Sequence, residues 1–400
     1  MTRHLPRIGR RGLLLGLAAG ATLGGARLAL GTGTGGEARL VVVILRGALD
    51  GLAAVQPYGE PDLAELRGPL ILPEPGQDGG VLDLGGFFGL HPRLARLHAM
   101  FAAGEALPIH AVAGPVRTRS HFEAQDLLES GAEQRLTSGW LNRALAGLPE
   151  SGGRDGGVRA GFAIGPSLPL LLRGPEPVGM YAPAGAARPE ADLYHRLLEL
   201  NHADPVIGPA LAEGLRARGF TGGVVPQAEQ RNGFVELASA AGRLMAVPDG
   251  PRIAALEMGG WDTHQAQPNR LAGVLGQLDN GLDALRVRLG TAWERTAVLV
   301  MTEFGRTVRV NGSDGTDHGT GTAAFLLGGA VAGGRVLADW PGLAPSRLFE
   351  GRDLRPTLDL RAVAKGLLRD HLGLPDAALE RAFPGSGAVA AKEGLVRRAA

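Results

Sequence analysis

Two uninterrupted apolar runs, Arg39–Leu45 (RLVVVIL) and Thr296–Thr302 (TAVLVMT), constrain the fold more than any other feature of the chain. Both are rich in β-branched side chains and show no alternation with polar residues. Such a strand is buried on both faces, as in a parallel sheet covered by helices on either side. Weaker strands are read at Leu107–Val112 (LPIHAV), Arg252–Met258 (RIAALEM) and Ala323–Leu327. Between the third and fourth strands, Leu271, Val274, Leu275, Leu278, Leu282, Leu285 and Leu289 recur at steps of three and four, the stripe of an amphipathic helix. Strand, helix, strand in that order is a βαβ unit. The expected class is therefore α/β, a mainly parallel sheet sandwiched by helices.

Residues 139–247 have a different character. Gly/Pro-rich loops (SGGRDGG; GPEPVGMYAPAGAARPE) precede helical patterns near 191–218 and 227–245. This stretch reads as a loop-rich helical insertion that caps the sheet. Residues 360–372 read as a closing helix.

The first 36 residues read as an address. Arg3, Arg7, Arg10 and Arg11 precede a short Gly/Leu/Ala run over 12–26, too short and glycine-rich for a stable membrane span. Arg10-Arg11 before Gly-Leu-Leu-Leu looks like a twin-arginine export signal, which implies the Tat translocase as a partner and a periplasmic or extracellular destination. Its removal takes away five arginines and no acid, so the net charge of +1 becomes −4. A mildly acidic body with 4% aromatics excludes a basic nucleic-acid binder and a base-stacking platform. The absence of cysteine excludes a disulfide framework, a thiolate metal site and a cysteine nucleophile.

The unusual polar residues stand just beyond the strands. Asp50 follows the first (RGALDG), Ser120-His121 the second (RTRSHFE), Asp262 and His264 the third (GGWDTH) and Glu303 the fourth (MTEFGR), while Asp317-His318 (GTDHGTG) precede the fifth. In an open parallel sheet, sites form outside the carboxyl ends of the strands. Carboxylates and neutral imidazoles without cysteine suit zinc, manganese or a related divalent ion, and argue against iron–sulfur clusters or copper(I).

LVVVILRGALDG, RTRSHFEAQD, GWLNRAL, EMGGWDTH, VLVMTEFGRTVRVNGSDGTDHGTG and GRVLADWPGL resemble the blocks of the exported bacterial family known as DUF1501, itself similar to the alkaline phosphatase superfamily. The resemblance implies an alkaline phosphatase-like domain over 37–400 and a hydrolase of phosphate or sulfate esters with one or two bound ions. It implies Asp50 and Glu303 on one ion with Ser120 as nucleophile, and Asp262, His264 and His318 on the other. Arg119, His121 and Arg306 are then candidate substrate-binding groups. Ser120 is followed by HFEA, which excludes the formylglycine-type sulfatase pattern. Asp262 and His264 stand two apart where the superfamily spaces that pair by four, and Phe304 stands where a histidine usually follows the acid.

Second readings stand beside these. Ser120 with Glu123 fits a capping box, Asp50 before Gly51 fits a turn, and Arg46 is a candidate ion-pair partner of Asp50. Arg306 is a candidate partner of Glu303. The alternative for the whole chain is a catalytically inactive metal-binding or assembly module of the same fold.

Overall fold

The computed structural model describes residues 38–148, 160–182 and 233–397. Arg10, Arg11 and the helical pattern near 191–218 lie outside the described residues.

The two apolar runs are neighbours at the centre of an eight-stranded sheet. Its strands are β1 (Arg39–Leu45), β2 (Ala106–Ala113), β3 (Gly161–Ile164), β4 (Gly179–Tyr181), β5 (Ile253–Met258), β6 (Thr296–Thr302), β7 (Thr322–Leu327) and β8 (Leu358–Asp359), in the order β8-β2-β7-β6-β1-β5-β3-β4. Central β1 runs parallel to β5 on one side, from Leu40↔Ile253 to Leu45↔Met258. On the other side it runs parallel to β6, from Arg39↔Thr296 to Leu45↔Thr302. Only β7 is reversed: it is antiparallel to both β6 and β2. Its entry therefore lies at the same edge as the exits of the other strands, which puts the Asp317-His318 loop beside the loops that leave β1, β2, β5 and β6.

Every residue of β1 is buried, and alternate side chains divide between two cores. Val41, Val43 and Leu45 face one layer, which includes Leu271, Leu275, Leu278, Leu282, Leu285 and Leu289 of a long helix. Leu40, Val42 and Ile44 face the other layer, which includes Leu128, Trp140, Leu141, Val363 and Leu367. The helices that pack on the sheet include α1 (His121–Ser130), α2 (Trp140–Leu145), α3 (Phe234–Ala246), α4 (Gln267–Leu289) and α5 (Leu360–Asp370). The βαβ unit expected from the sequence is β5–α4–β6. Helix α4 starts with Pro268 in its first turn, where a missing N–H costs nothing, and ends at Gly290 with φ of 54°. Between 139 and 247, α2 joins the second core, β3 and β4 extend the sheet beyond β5, and α3 packs beside α4 in the first core. Among the described residues, no helix is long and apolar enough to cross a membrane.

Candidate metal centre

The loops at the carboxyl edge are pressed tightly together. Gly47, just past β1, has φ of +119°, and a Cβ there would stand 2.6 Å from the Asp262 amide nitrogen. A Cβ on Gly315 would stand 2.2 Å from the His264 carbonyl oxygen. These glycines let the exits of β1 and β5 and the entry to β7 touch.

At that junction donor atoms of His121, Asp262 and His318 lie within 4.8 Å of one another, and His264 stands beside the last two. The Nε2 of His318 lies 3.0 Å from His121 Nε2 and 2.9 Å from His264 Nε2. Asp262 Oδ1 lies 3.0 Å from His264 Nε2, 3.3 Å from His318 Nε2 and 3.5 Å from His121 Nε2. Donors around a tetrahedral zinc at its usual bond lengths stand about 3.3 Å apart.

The other nitrogen of each ring explains why Nε2 points inward. His121 Nδ1 is 2.8 Å from Glu303 Oε1, and His318 Nδ1 is 2.9 Å from the Arg119 carbonyl oxygen. His264 Nδ1 faces Asp317 Oδ1 at 3.4 Å. Burial works to raise the Glu303 carboxyl, but hydrogen bonds from His121, Gln125 and Thr302 outweigh it and hold the group below the usual carboxylate range. Glu303 and the carbonyl are thus acceptors, so His121 and His318 donate from Nδ1, and each neutral ring turns a lone pair inward at Nε2. Two lone pairs 3.0 Å apart repel unless a positive charge lies between them. A proton on one ring bridges a single pair, whereas a divalent ion can lie between His121, His318 and Asp262 at once. The donor set therefore fits a metal ion, with Glu303, Asp317 and the Arg119 carbonyl as the outer partners that orient metal-binding imidazoles.

The hydrogen bond to Glu303 raises the pKa of His121. Burial lowers that of His318, against the Arg119 carbonyl. For Asp262 burial acts upward, but the hydrogen bond and charge of Arg306 prevail and lower it.

The structure places Asp262, His264 and His318 together and puts His121, expected as a substrate-binding group, against His318 and Asp262. Glu303 lies one hydrogen bond farther out, on His121. Asp50 is not in the cluster. It is buried and ion-paired with Arg67, and its Oδ2 also accepts from Gln267 Nε2 at 2.6 Å. Arg46 is not its partner; that guanidinium pairs with Glu129 at 2.8 Å and with Glu257. The Arg306 side chain has no exposure to a substrate. It bonds the carbonyls of Ala48 (2.9 Å), Thr316 (3.1 Å), Gly47 (2.6 Å) and Trp261 (3.0 Å), together with Asp262 Oδ1 (2.6 Å). Arg119 is spent on Asp353 and Glu350, each at 2.7 Å. Ser120 is exposed at the start of α1, and the capping box does not form: its side chain makes no cap bond, and Glu123 accepts instead from Thr118 Oγ1 at 2.7 Å. Phe304 stacks on His121 with ring centroids 4.9 Å apart and walls that side of the cluster.

A cavity of about 430 Å³, lined by none of the cluster residues, lies between α1 and the 167–173 loop. Its lining includes Arg46, Gln125, Arg135, Arg173 and Glu257. Gln125 is shared with the site: its amide donates to Glu303 Oε1 at 3.0 Å and accepts from Arg46 Nη1 at 2.9 Å.

Comparison with known proteins gives a family match. Residues 220–382 match the family described as "Protein of unknown function (DUF1501)". That stretch contains EMGGWDTH, the TEFGR block and GRVLADWPGL. No curated protein matches the chain. Solved structures similar to it include the phosphonate monoester hydrolase of Agrobacterium radiobacter (12% identity, 84% of this chain and 74% of that one, TM-score 0.35). The C-terminal periplasmic domain of EcEptC from Escherichia coli, in complex with zinc, is 10% identical over 74% of this chain and 73% of that one, with a TM-score of 0.33. Ps i-CgsB in complex with k-i-k-neocarrahexaose is 10% identical over 85% and 73%, with a TM-score of 0.35.

Proposed function

We propose that this chain, matched over 220–382 to the DUF1501 family, is an exported metal-dependent hydrolase of phosphate or sulfate esters. The observation that carries the reading is the cluster of His121 Nε2, His318 Nε2 and Asp262 Oδ1, with His264 Nε2 beside the last two and with His121 and His318 donating their other nitrogen to a fixed acceptor. His121, His264, His318 and Asp262 would hold a divalent ion, zinc or manganese. Such an ion supplies Lewis acidity toward an ester oxygen and toward the nucleophile.

The protein's own groups divide the remaining work. Glu303, Asp317 and the Arg119 carbonyl fix the rings, and Arg306 fixes Asp262. Ser120 stands next to His121 at the amino end of the ten-residue α1, where the helix dipole favours developing negative charge. Its hydroxyl is exposed and is the candidate nucleophile. Attack forms an O–P or O–S bond while the bond to the leaving oxygen breaks; that oxygen takes the electron pair and, through solvent, the proton given up by the Ser120 hydroxyl, and water then hydrolyses the seryl ester and returns the hydroxyl. The paired arginines before Gly-Leu-Leu-Leu support export by the twin-arginine route.

A second reading, a metal-binding module without catalysis, is favoured by one observation. No base holds the Ser120 hydroxyl among the described residues, and Arg119 and Arg306 are bonded within the protein. Purified protein loaded with zinc or manganese is to be tested on aryl phosphates, phosphodiesters and aryl sulfates beside His264→Ala and Ser120→Ala. Turnover lost in both variants supports the hydrolase. Metal bound without turnover on any ester supports the module.

A further inference from the structure

The resemblance to the alkaline phosphatase superfamily gives Asp50, Glu303 and Ser120 to an ion of their own. The hydrogen bonding of these residues disagrees. Asp50 is 1% exposed, and its carboxylate is filled by Arg67, by Gln267 Nε2 (2.6 Å) and by the Ala53 amide (3.3 Å). Neither of the first two donors is free to turn away. Arg67 Nη1 is held by the carbonyls of Thr307 (3.2 Å) and Val308 (3.3 Å), and its guanidinium is itself buried. The Gln267 amide is oriented by its oxygen, which accepts from Thr263 Oγ1 (3.0 Å) and Thr316 Oγ1 (2.7 Å). Glu303 carries four donors where Asp50 carries three. Its Oε1 takes His121 Nδ1 (2.8 Å), the Gly47 amide (2.8 Å) and Gln125 Nε2 (3.0 Å), and its Oε2 takes Thr302 Oγ1 (2.8 Å). A carboxylate offers about four acceptor positions.

We infer that the site holds one divalent ion, and that Arg67 supplies to Asp50, as a permanent internal cation, the positive charge a second ion would bring. A guanidinium does not lose its proton at physiological pH. An ion at Asp50 would have to expel it from its carboxylate and leave a buried cation without a counter-charge, which is unfavourable in a dry interior. The inference rests on the ion site proposed above.

The test is metal stoichiometry, read by elemental analysis and by calorimetric titration of zinc into the chelator-stripped full chain, Asp50→Asn and Glu303→Gln. The expected result is one zinc per wild-type chain. Asp50→Asn keeps one zinc with a Kd within about twofold of wild type, because Asp50 touches no donor of the cluster. Glu303→Gln keeps one zinc but binds it about 10–100-fold more weakly, through the lost orientation of His121. Two ions per wild-type chain would overturn this inference and leave the proposed site standing. No bound ion in the wild type would overturn both. Should Asp50→Asn fail to fold, as circular dichroism would show, the wild-type stoichiometry decides alone.

Discussion

Replacing Arg306 by methionine tests how the candidate site is held. The side chain is buried, and its guanidinium bonds four backbone carbonyls from three loops besides Asp262. Methionine keeps the apolar stem and removes every donor. Each buried acceptor left without a partner costs about 1–3 kcal/mol, and the lower value applies where water can enter the vacated space. Four carbonyls at the lower value give about 4 kcal/mol. The Asp262 carboxylate is half exposed, so its lost ion pair adds little to stability. Its loss acts instead on the site, because Arg306, ahead of His264 and His121, opposes burial in keeping Asp262 ionised. Urea unfolding of chelator-stripped protein, followed by tryptophan fluorescence, reads the first effect. Competition for zinc against a chromophoric chelator reads the second, with an expected loss of tenfold or more. Arg309→Met, which removes an exposed guanidinium paired with exposed Glu65, is the control and shifts stability by less than about 0.5 kcal/mol. An Arg306→Met protein with wild-type unfolding midpoint and wild-type zinc affinity refutes the reasoning.

Other outcomes follow from the same geometry. Gly47→Ala forces a Cβ to within 2.6 Å of the Asp262 amide at a backbone φ of +119°; it should destabilise the chain by about 1–3 kcal/mol and weaken zinc binding, checked by thermal unfolding and chelator competition. Zinc at a hundredfold excess over its Kd should stabilise the folded chain by about 2.7 kcal/mol, an increment that EDTA removes and that His318→Ala never shows. His110 is fully buried, donates from Nε2 to the Val55 carbonyl (3.0 Å) and accepts at Nδ1 from the Ala111 amide (2.8 Å), so it is locked neutral and burial lowers its pKa to about 4. The unfolded chain takes up that proton near pH 6.5, so the stability His110 contributes is whole above that pH and is lost as pH falls toward 4, by about 3 kcal/mol at most. Chelator-stripped His110→Gln should show a shallower loss of unfolding midpoint between pH 6.5 and 4 than the chelator-stripped parent. Parallel slopes in the two proteins would remove His110 from the account.

The sheet centre was legible because β1 and β6 are buried on both faces, which writes itself into the chain as unbroken apolar runs. Helix α4 was legible for the complementary reason, a leucine stripe on one face. Strands β3 and β4 escaped detection. They have four and three residues inside Gly/Pro-rich surroundings, too few to establish a period. The two-residue strands of a small second sheet, Val55–Gln56, Leu82–Asp83 and Gly89–Leu90, are shorter still.

The site was half legible. Asp262, His264 and His318 stand out as polar side chains in glycine-rich loops at strand ends. The contact between Glu303 and His121 was hidden, because it depends on which carboxylate reaches which ring across 182 residues of chain. The outer partner of His318 is a backbone carbonyl, which no side-chain pattern announces. The pairing of Asp50 with Arg67 was equally invisible: Arg46 is nearer in sequence, but it leaves the strand toward Glu129 and Glu257. The available signal for His121 was its place as the first residue of a helix that follows a strand exit, with a second histidine in the loop before β7.

X-ray absorption at the zinc edge of the loaded protein reads the coordination shell directly. Three imidazoles and one carboxylate oxygen, with the outer-shell scattering of the rings plainly present, are the pattern expected of His121, His264, His318 and Asp262. A shell of oxygens with at most one imidazole would contradict the centre described here.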